Sequence, residues 1–147
     1  MGDTSRHDFK LAQMADDLYD YTLKLCGKQI EEFEEKQSNE EKQESEKKKT
    51  YRFPLYLYPN YVSRMLNTAG DIHEDIIIAN ESRDVEKRLK LQDDVIGKCV
   101  YLNHLTKLAR DRGWISNKQL NDWRTLTNGV FWSTWNWMRS DIKRKTK

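Results

Sequence analysis

Apolar residues along this chain return at steps of three and four, and they do so in four separate stretches. In the first, over residues 8–28, Leu11, Met14, Ala15, Leu18, Thr22, Leu25 and Cys26 fall on one side of a helix. In the second, residues 59–80, Val62, Met65, Leu66, Ala69, Ile72, His73 and Ile76 share a face, and Pro59 suits a first-turn position. Pro54 and Pro59 forbid a regular helix interior, so the chain from Arg52-Phe53-Pro54 to Pro59 reads as a connection with a late helix start. The third stretch, residues 83–113, carries two stripes: Leu91, Val95, Leu102, Leu105 and Ala109, and nearly opposite them Leu89, Ile96 and Val100. A helix with one buried face needs one stripe, so the second implies either contact with another chain or burial between neighbours. In the fourth, residues 117–141, Leu120, Trp123, Leu126, Thr127, Val130, Phe131, Thr134, Trp137 and Met138 make a broad inward arc. These periods predict an all-α fold, an antiparallel up-down four-helix bundle, in a single domain over residues 1–147.

Local signals sharpen the junction between the last two helices. Gly113 can adopt the left-handed conformation that ends a helix. Ser116-Asn117-Lys118-Gln119 reads as a capping box, with Ile115 and Leu120 at the two positions of a hydrophobic staple. Gly129, inside the fourth stretch, costs about 1 kcal/mol relative to Ala and either permits a close helix approach or does nothing. Between the first and second stretches, residues 31–50 hold one aromatic, Phe33, and otherwise almost only Glu, Lys, Gln, Ser and Asn. With no apolar stripe to bury, this segment reads as a frayed extension of the first helix that gives way to disorder.

Composition agrees with helices and narrows the class. Six Gly and two Pro in 147 residues are fewer turn formers than an all-β or α/β chain of this size uses. No apolar run approaches the ~18 residues of a membrane span, and the polar stretch Met1–Lys10 carries no secretory apolar core. Cys26 and Cys99 stand at unpatterned spacing inside expected helices and read as small buried apolar residues of a reduced, cytoplasmic protein. Charge is uneven: residues 1–50 hold 9 Lys/Arg against 13 Asp/Glu, and residues 51–147 hold 17 against 11. The larger part is therefore net basic, which favours an anionic partner.

Candidate catalytic chemistry is thin. Asp71, His73, Glu74 and Asp75 invite a metal reading, but Asp71 and His73 sit two apart, about 200° around a helix, and cannot converge on one ion. The Glu-x-x-His spacing of di-iron bundles is missing from the two middle helices. His73 instead reads as a core or interface histidine bonded to a neighbour. With no phosphate loop, nucleophile elbow or CxxC pair, the expectation is a protein without enzymatic activity, metal or cofactor.

Basic and aromatic residues carry the remaining signal. Trp132, Asn136, Arg139 and Lys143 follow one another at i, i+4, i+7 and i+11, on a face outside the apolar arc, and a basic tail over residues 142–147 adds Arg144 and Lys145. An aromatic ring beside amide and basic groups suits stacking on unpaired bases and contact with phosphate; a protein interface is the competing use. Lys98, Arg110 and Arg112 of the third helix add dispersed cations suited to positioning phosphates. Leu89, Ile96 and Val100 form the candidate oligomer interface.

The stretch from Phe53-Pro54 to Trp137 resembles the accessory variability determinant proteins of diversity-generating retroelements. They belong to a four-helix-bundle family that also includes proteins encoded in intervening sequences of large-subunit ribosomal RNA. The likeness rests on several features: the FP pair before the second helix, and that helix's close in Ala79-Asn80. Further on come Leu105-Thr-Lys-Leu-Ala109-Arg-Asp-Arg-Gly113, then Ile115-Ser116-Asn-Lys-Gln119, and the aromatic helix ending Trp137-Met138-Arg139-Ser140. The resemblance implies a bundle that assembles as a homopentamer and a basic surface on template RNA or cDNA. It also implies a partner reverse transcriptase, with no active site of the chain's own. No short signature separates the retroelement branch from the intervening-sequence branch, for which an oligomeric protein-binding bundle is expected.

Overall fold

The computed structural model describes residues 10–27 and 51–145, and every regular element among them is helical. Helix α1 covers residues 10–27. A 3-10 turn, Leu55–Leu57, and a single π turn, Tyr58–Val62, lead into α2, Ser63–Glu81. Helix α3 is Val85–Asp111 and α4 is Asn117–Lys145. The charged segment at 31–50 lies outside the described residues, as do residues 146–147.

The expected stripes make the core. Leu11, Ala15, Leu18, Leu25 and Cys26 of α1 join Met65, Ala69, Ile72 and Ile76 of α2, Val95, Cys99, Leu102 and Ala109 of α3, and Leu120, Trp123 and Val130 of α4. Each large aliphatic or aromatic side chain so buried contributes about 1.5–3 kcal/mol. Polar atoms within the core are mostly paired. The Trp123 indole Nε1 donates to Thr22 Oγ1 at 3.0 Å, and Thr22 in turn donates to the Leu18 carbonyl at 2.8 Å. That relay ties α1 to α4 and explains why a threonine occupies an apolar position of the first stripe.

The connection before α2 is anchored by rings. Phe53 is buried against Tyr61 and Trp114, with centroids 6.3 and 6.0 Å away, and Tyr61 meets Trp114 edge-on at 5.2 Å. The Tyr61 hydroxyl donates to the Leu105 carbonyl, and burial, with Tyr101 nearby, pushes its pKa up to about 12. The helix predicted from Pro59 therefore starts as a π turn, with Pro59 in its first turn, and becomes regular only at Ser63.

Both short junctions are set by local chemistry. Asp84 caps α3, its side chain accepting from the Glu86 amide at 3.1 Å. At the other end Gly113 has φ +78°, and the Trp114 amide reaches the Ala109 carbonyl at 2.9 Å, which closes a Schellman turn. Gln119 N donates to Ser116 Oγ at 3.1 Å and Ser116 N to Gln119 Oε1 at 2.8 Å, so the capping box forms as the spacing predicts, with Ile115 and Leu120 buried beside it.

Three expectations need correction. Helix α4 does not stop near Asp141: it runs to Lys145, so the basic residues 142–145 lie on a helix and not in a tail. The main stripe of α3 is rotated slightly, because Leu91 is only half-buried while Gln92 is fully buried. The second stripe is not buried between neighbours, since Leu89 and Ile96 are half-exposed and Val100 is 47% exposed.

Candidate nucleic-acid interface

Two polar constructions join α3 to α4. Near the C-terminus of α4, Asp141 is 0% exposed, and both of its oxygens are taken by one guanidinium. Arg88 Nε donates to Oδ2 and Nη2 to Oδ1, each at 2.7 Å, while Gln92 Nε2 donates to Oδ2 at 2.8 Å. Bidentate geometry of this kind is the strong form of a charge-assisted hydrogen bond. It accounts for the rotation of α3, because Gln92 is drawn inward to meet a carboxylate. Lys145 Nζ reaches Glu86 at 2.7 Å just beyond. This cluster fastens the two helices, and its carboxylate is fully spent inside the protein.

Further along the same pair of helices lies an open groove of about 450 Å³. Its α4 side is formed by Arg124, Asn128, Phe131 and Trp132, and its α3 side by Val100, Asn103, His104 and Lys107. Trp132 is the most exposed tryptophan among the described residues, at 58%, and Phe131 braces it edge-to-face with centroids 5.0 Å apart at 87°. At the floor, Asn103 Nδ2 donates to Asn128 Oδ1 at 2.9 Å, while Asn103 Oδ1 is buried without a partner. No carboxylate lines the groove. Lys107 is 3.7 Å from Asp111, but Asp111 is engaged first by Arg110, whose hydrogen bond, ahead of the charge of Lys107, holds its carboxyl below the ordinary range.

Neither family models, nor curated proteins, nor solved structures gave a match to this chain. The reading of the site therefore rests on its own residues.

Of the residues expected to face nucleic acid, Trp132, Asn136, Arg139 and Lys143 are exposed on one side of α4, continuous with the groove through Trp132. Arg144 lies 3.9 Å from Asp141, and Lys145 is paired with Glu86. Lys98 is elsewhere, half-buried between α2 and α3 with its Nζ 2.6 Å from Asp75. Burial works against its charge, but Asp75, with Asp71 and Asp94 behind it, outweighs that and raises its pKa. Arg110 is spent on Asp111 and Asn117 at the α3–α4 turn, where Arg112 is exposed. Val100, assigned to an oligomer interface, lines the same groove as Trp132, so two surfaces that the sequence suggested separately meet here.

Lys107, Arg124, Asn103 and Asn128 were not singled out from sequence. Arg124 stands directly after the core residue Trp123, and Lys107 lies between the core residues Thr106 and Ala109, so each reads as ordinary solvated charge. The available signal was the run Arg124-Asn128-Phe131 at steps of four and three, parallel to the core arc and one position outside it. His73 behaves as expected of a bonded histidine, with Nε2 2.5 Å from Asp16 Oδ1 and its ring 5.5 Å from Tyr19. Among the described residues no three His, Cys, Asp or Glu side chains cluster as metal ligands, and no helix is long and apolar enough to cross a membrane.

Proposed function

We propose that this chain is a non-catalytic, nucleic-acid-binding accessory protein. It contacts the template RNA or cDNA of a diversity-generating retroelement together with that element's reverse transcriptase. The observation that carries the reading is the open groove between α3 and α4, where an exposed tryptophan stands among amides and the cations Lys107 and Arg124 with no lining carboxylate. The exposed row Asn136, Arg139 and Lys143 extends that surface along α4. Aromatic and basic groups interleaved in this way suit stacking on bases with phosphates held alongside.

The scaffold in this reading is an antiparallel up-down four-helix bundle. Contact order supports it: Glu86 meets Lys145, Arg88 meets Asp141 and Asn103 meets Asn128, so rising numbers on α3 face falling numbers on α4. The pairs Asp75–Lys98 and Tyr61–Leu105 reverse in the same sense between α2 and α3, and Met14–Ser133 and Thr22–Trp123 between α1 and α4. The bundle works as an oligomer, a pentamer by the resemblance, in the cytoplasm.

Salt dependence tests the proposal. With Lys107, Arg124, Arg139 and Lys143 each on a phosphate, the single-strand slope of about −0.7 per contact gives a roughly 50-fold weaker affinity at about 200 mM salt than at about 50 mM. The triple substitution Arg139→Glu, Lys143→Glu and Arg144→Glu then removes most RNA retention, and the tagged protein co-purifies with a reverse transcriptase and its template RNA. An affinity indifferent to salt would sink the electrostatic reading. A second reading, a protein-binding oligomer of the ribosomal intervening-sequence type, is favoured by the half-exposed Leu89 and Ile96 beside Val100. It expects no nucleic-acid retention in the unsubstituted chain.

A further inference from the structure

We infer that the α3–α4 groove is a seat for one unpaired nucleotide, so that the protein holds single-stranded RNA or DNA in preference to duplex. The inference rests on the nucleic-acid reading above and deepens it.

Three features of the groove point the same way. The first is the indole of Trp132, exposed yet fixed by Phe131, whose ring meets it edge-on. A braced, solvent-facing aromatic loses little freedom when a base stacks on it, and only a base freed from its partner and its neighbours can offer a face. A duplex keeps its base faces stacked on one another and presents only edges and backbone, which leaves the indole nothing to stack on.

The second is charge. Lys107 from one helix and Arg124 from the other line one end of the groove, with no carboxylate between them. Arg124 makes no ion pair among the described residues. Lys107 shares Asp111, at 3.7 Å, with Arg110, so cationic charge from both helices is left at the groove for an anion to meet. A phosphate adjoining the stacked base is such an anion, and a single strand carries one beside every base.

The third is the floor. The Asn103–Asn128 amide pair uses one donor and one acceptor on itself and leaves Asn103 Oδ1 with no partner. Buried carbonyl oxygens are normally satisfied, and this one lies closed off beneath the groove, so it can accept from a base's exocyclic amino group only if Asn103 turns outward. The groove volume of about 450 Å³ is within the range of small-molecule sites and is enough for one nucleotide.

The test uses fluorescence anisotropy with the full chain and three labelled probes of equal nucleotide count: oligo(A) RNA, oligo(dA) and a hairpin duplex whose loop is a non-nucleotide linker. The seat predicts that both single strands bind more tightly than the hairpin. Trp132→Ala should weaken single-strand binding by roughly 5- to 150-fold, the range expected for one lost base stack, while changing hairpin binding little. Trp132→Phe, which keeps an aromatic face, should recover much of that loss. Lys107→Gln with Arg124→Gln should weaken single strands and lower the salt slope by about 1 to 2. All substituted positions lie at the surface, and unchanged thermal unfolding confirms the fold. Binding of hairpin and single strand alike, unmoved by Trp132→Ala but lost in Arg139→Glu/Lys143→Glu, would overturn the seat and leave the nucleic-acid function standing. Absence of binding to all three probes would overturn both. Loss of self-association in Trp132→Ala with unaltered nucleic-acid affinity would overturn the seat and give the groove to a second copy of the chain.

Discussion

Asp141→Ala removes a carboxylate that is wholly inside the protein and leaves its three donated hydrogen bonds without an acceptor. Arg88 is the chief casualty. Its side chain is 17% exposed, so its charge would sit largely desolvated with neither Nε nor Nη2 engaged by Asp141. Gln92 Nε2 would lose its acceptor too, and Gln92 Oε1 is already unpartnered. Breaking a buried ion pair from one side costs about 3–5 kcal/mol, much of it the penalty on the charge left behind. For a chain of this size, at about 3–4 °C per kcal/mol, that lowers the melting temperature by roughly 10 to 20 °C. Circular dichroism at 222 nm during heating, with urea unfolding at 25 °C, reads the loss. If the penalty belongs to the orphaned polar groups, Arg88→Met and Gln92→Leu combined with Asp141→Leu should return stability to within about 1 kcal/mol of the unsubstituted chain or exceed it. A melting temperature for Asp141→Ala within about 3 °C of the parent would refute the account, because a solvated surface pair contributes only about 0–1 kcal/mol.

Cys26 and Cys99 are buried, and burial pushes both thiols up to about 12, so neither should react with Ellman's reagent in the folded protein while both react in urea. The same two groups, together with Tyr61, set an alkaline limit. Above about pH 9 the unfolded chain sheds thiol protons that the folded chain keeps, so their contribution is intact below pH 9 and declines up to about pH 12, at about 1.4 kcal/mol per pH unit per thiol. Urea midpoints across that range, compared with Cys26→Ala and Cys99→Ala, check the sign. Gly97→Ala, with nothing within 4 Å of the added methyl, should gain about 1 kcal/mol of helix propensity, whereas Gly129→Ala must first displace the Met14 methyl lying 2.9 Å away and should gain less. Gly113→Ala should cost about 1 kcal/mol or more by denaturant unfolding, because its φ of +78° disfavours any Cβ.

The four helices were readable because an amphipathic helix writes its buried face into the sequence at a fixed period, and the α3–α4 turn was readable because its atoms interact within four residues. What escaped the reading is long-range. Gln92 belongs to neither apolar stripe of the third helix, and only the arrival of Asp141 from another helix draws it inward. Asp141 in turn looked like a helix end, where a carboxylate is unfavourable, until Arg88 supplied the reason for α4 to continue. Lys98 was placed with the phosphate contacts by its charge, yet Asp75 of α2 engages it across the α2–α3 seam. The groove was missed for the same reason: half its residues belong to α3 and half to α4.

The register of α3 on α4 explains how an apolar stripe and a cationic site come to share one seam. Carried along from the Asn103–Asn128 pair, it sets Val100 level with Phe131, Ile96 with Trp135 and Leu89 with Ile142, and in the other direction Lys107 with Arg124. Each pair lies a whole number of three- or four-residue steps from the last on both helices, so all these positions look outward through the same side. Across the seam itself the pairs toward Leu89 and Ile142 are apolar and the pair Lys107–Arg124 is cationic, with the amide pair and Trp132 at the change and the row Asn136, Arg139 and Lys143 running beside the apolar pairs. An apolar surface lowers the dielectric around the charges beside it, and a phosphate held by Lys107 and Arg124 gains from that proximity as long as the stripe is covered. Covering the stripe by a second copy and binding nucleic acid at the cationic end would then reinforce each other. The two uses suggested for this surface are better treated as neighbours on one seam than as rivals for it.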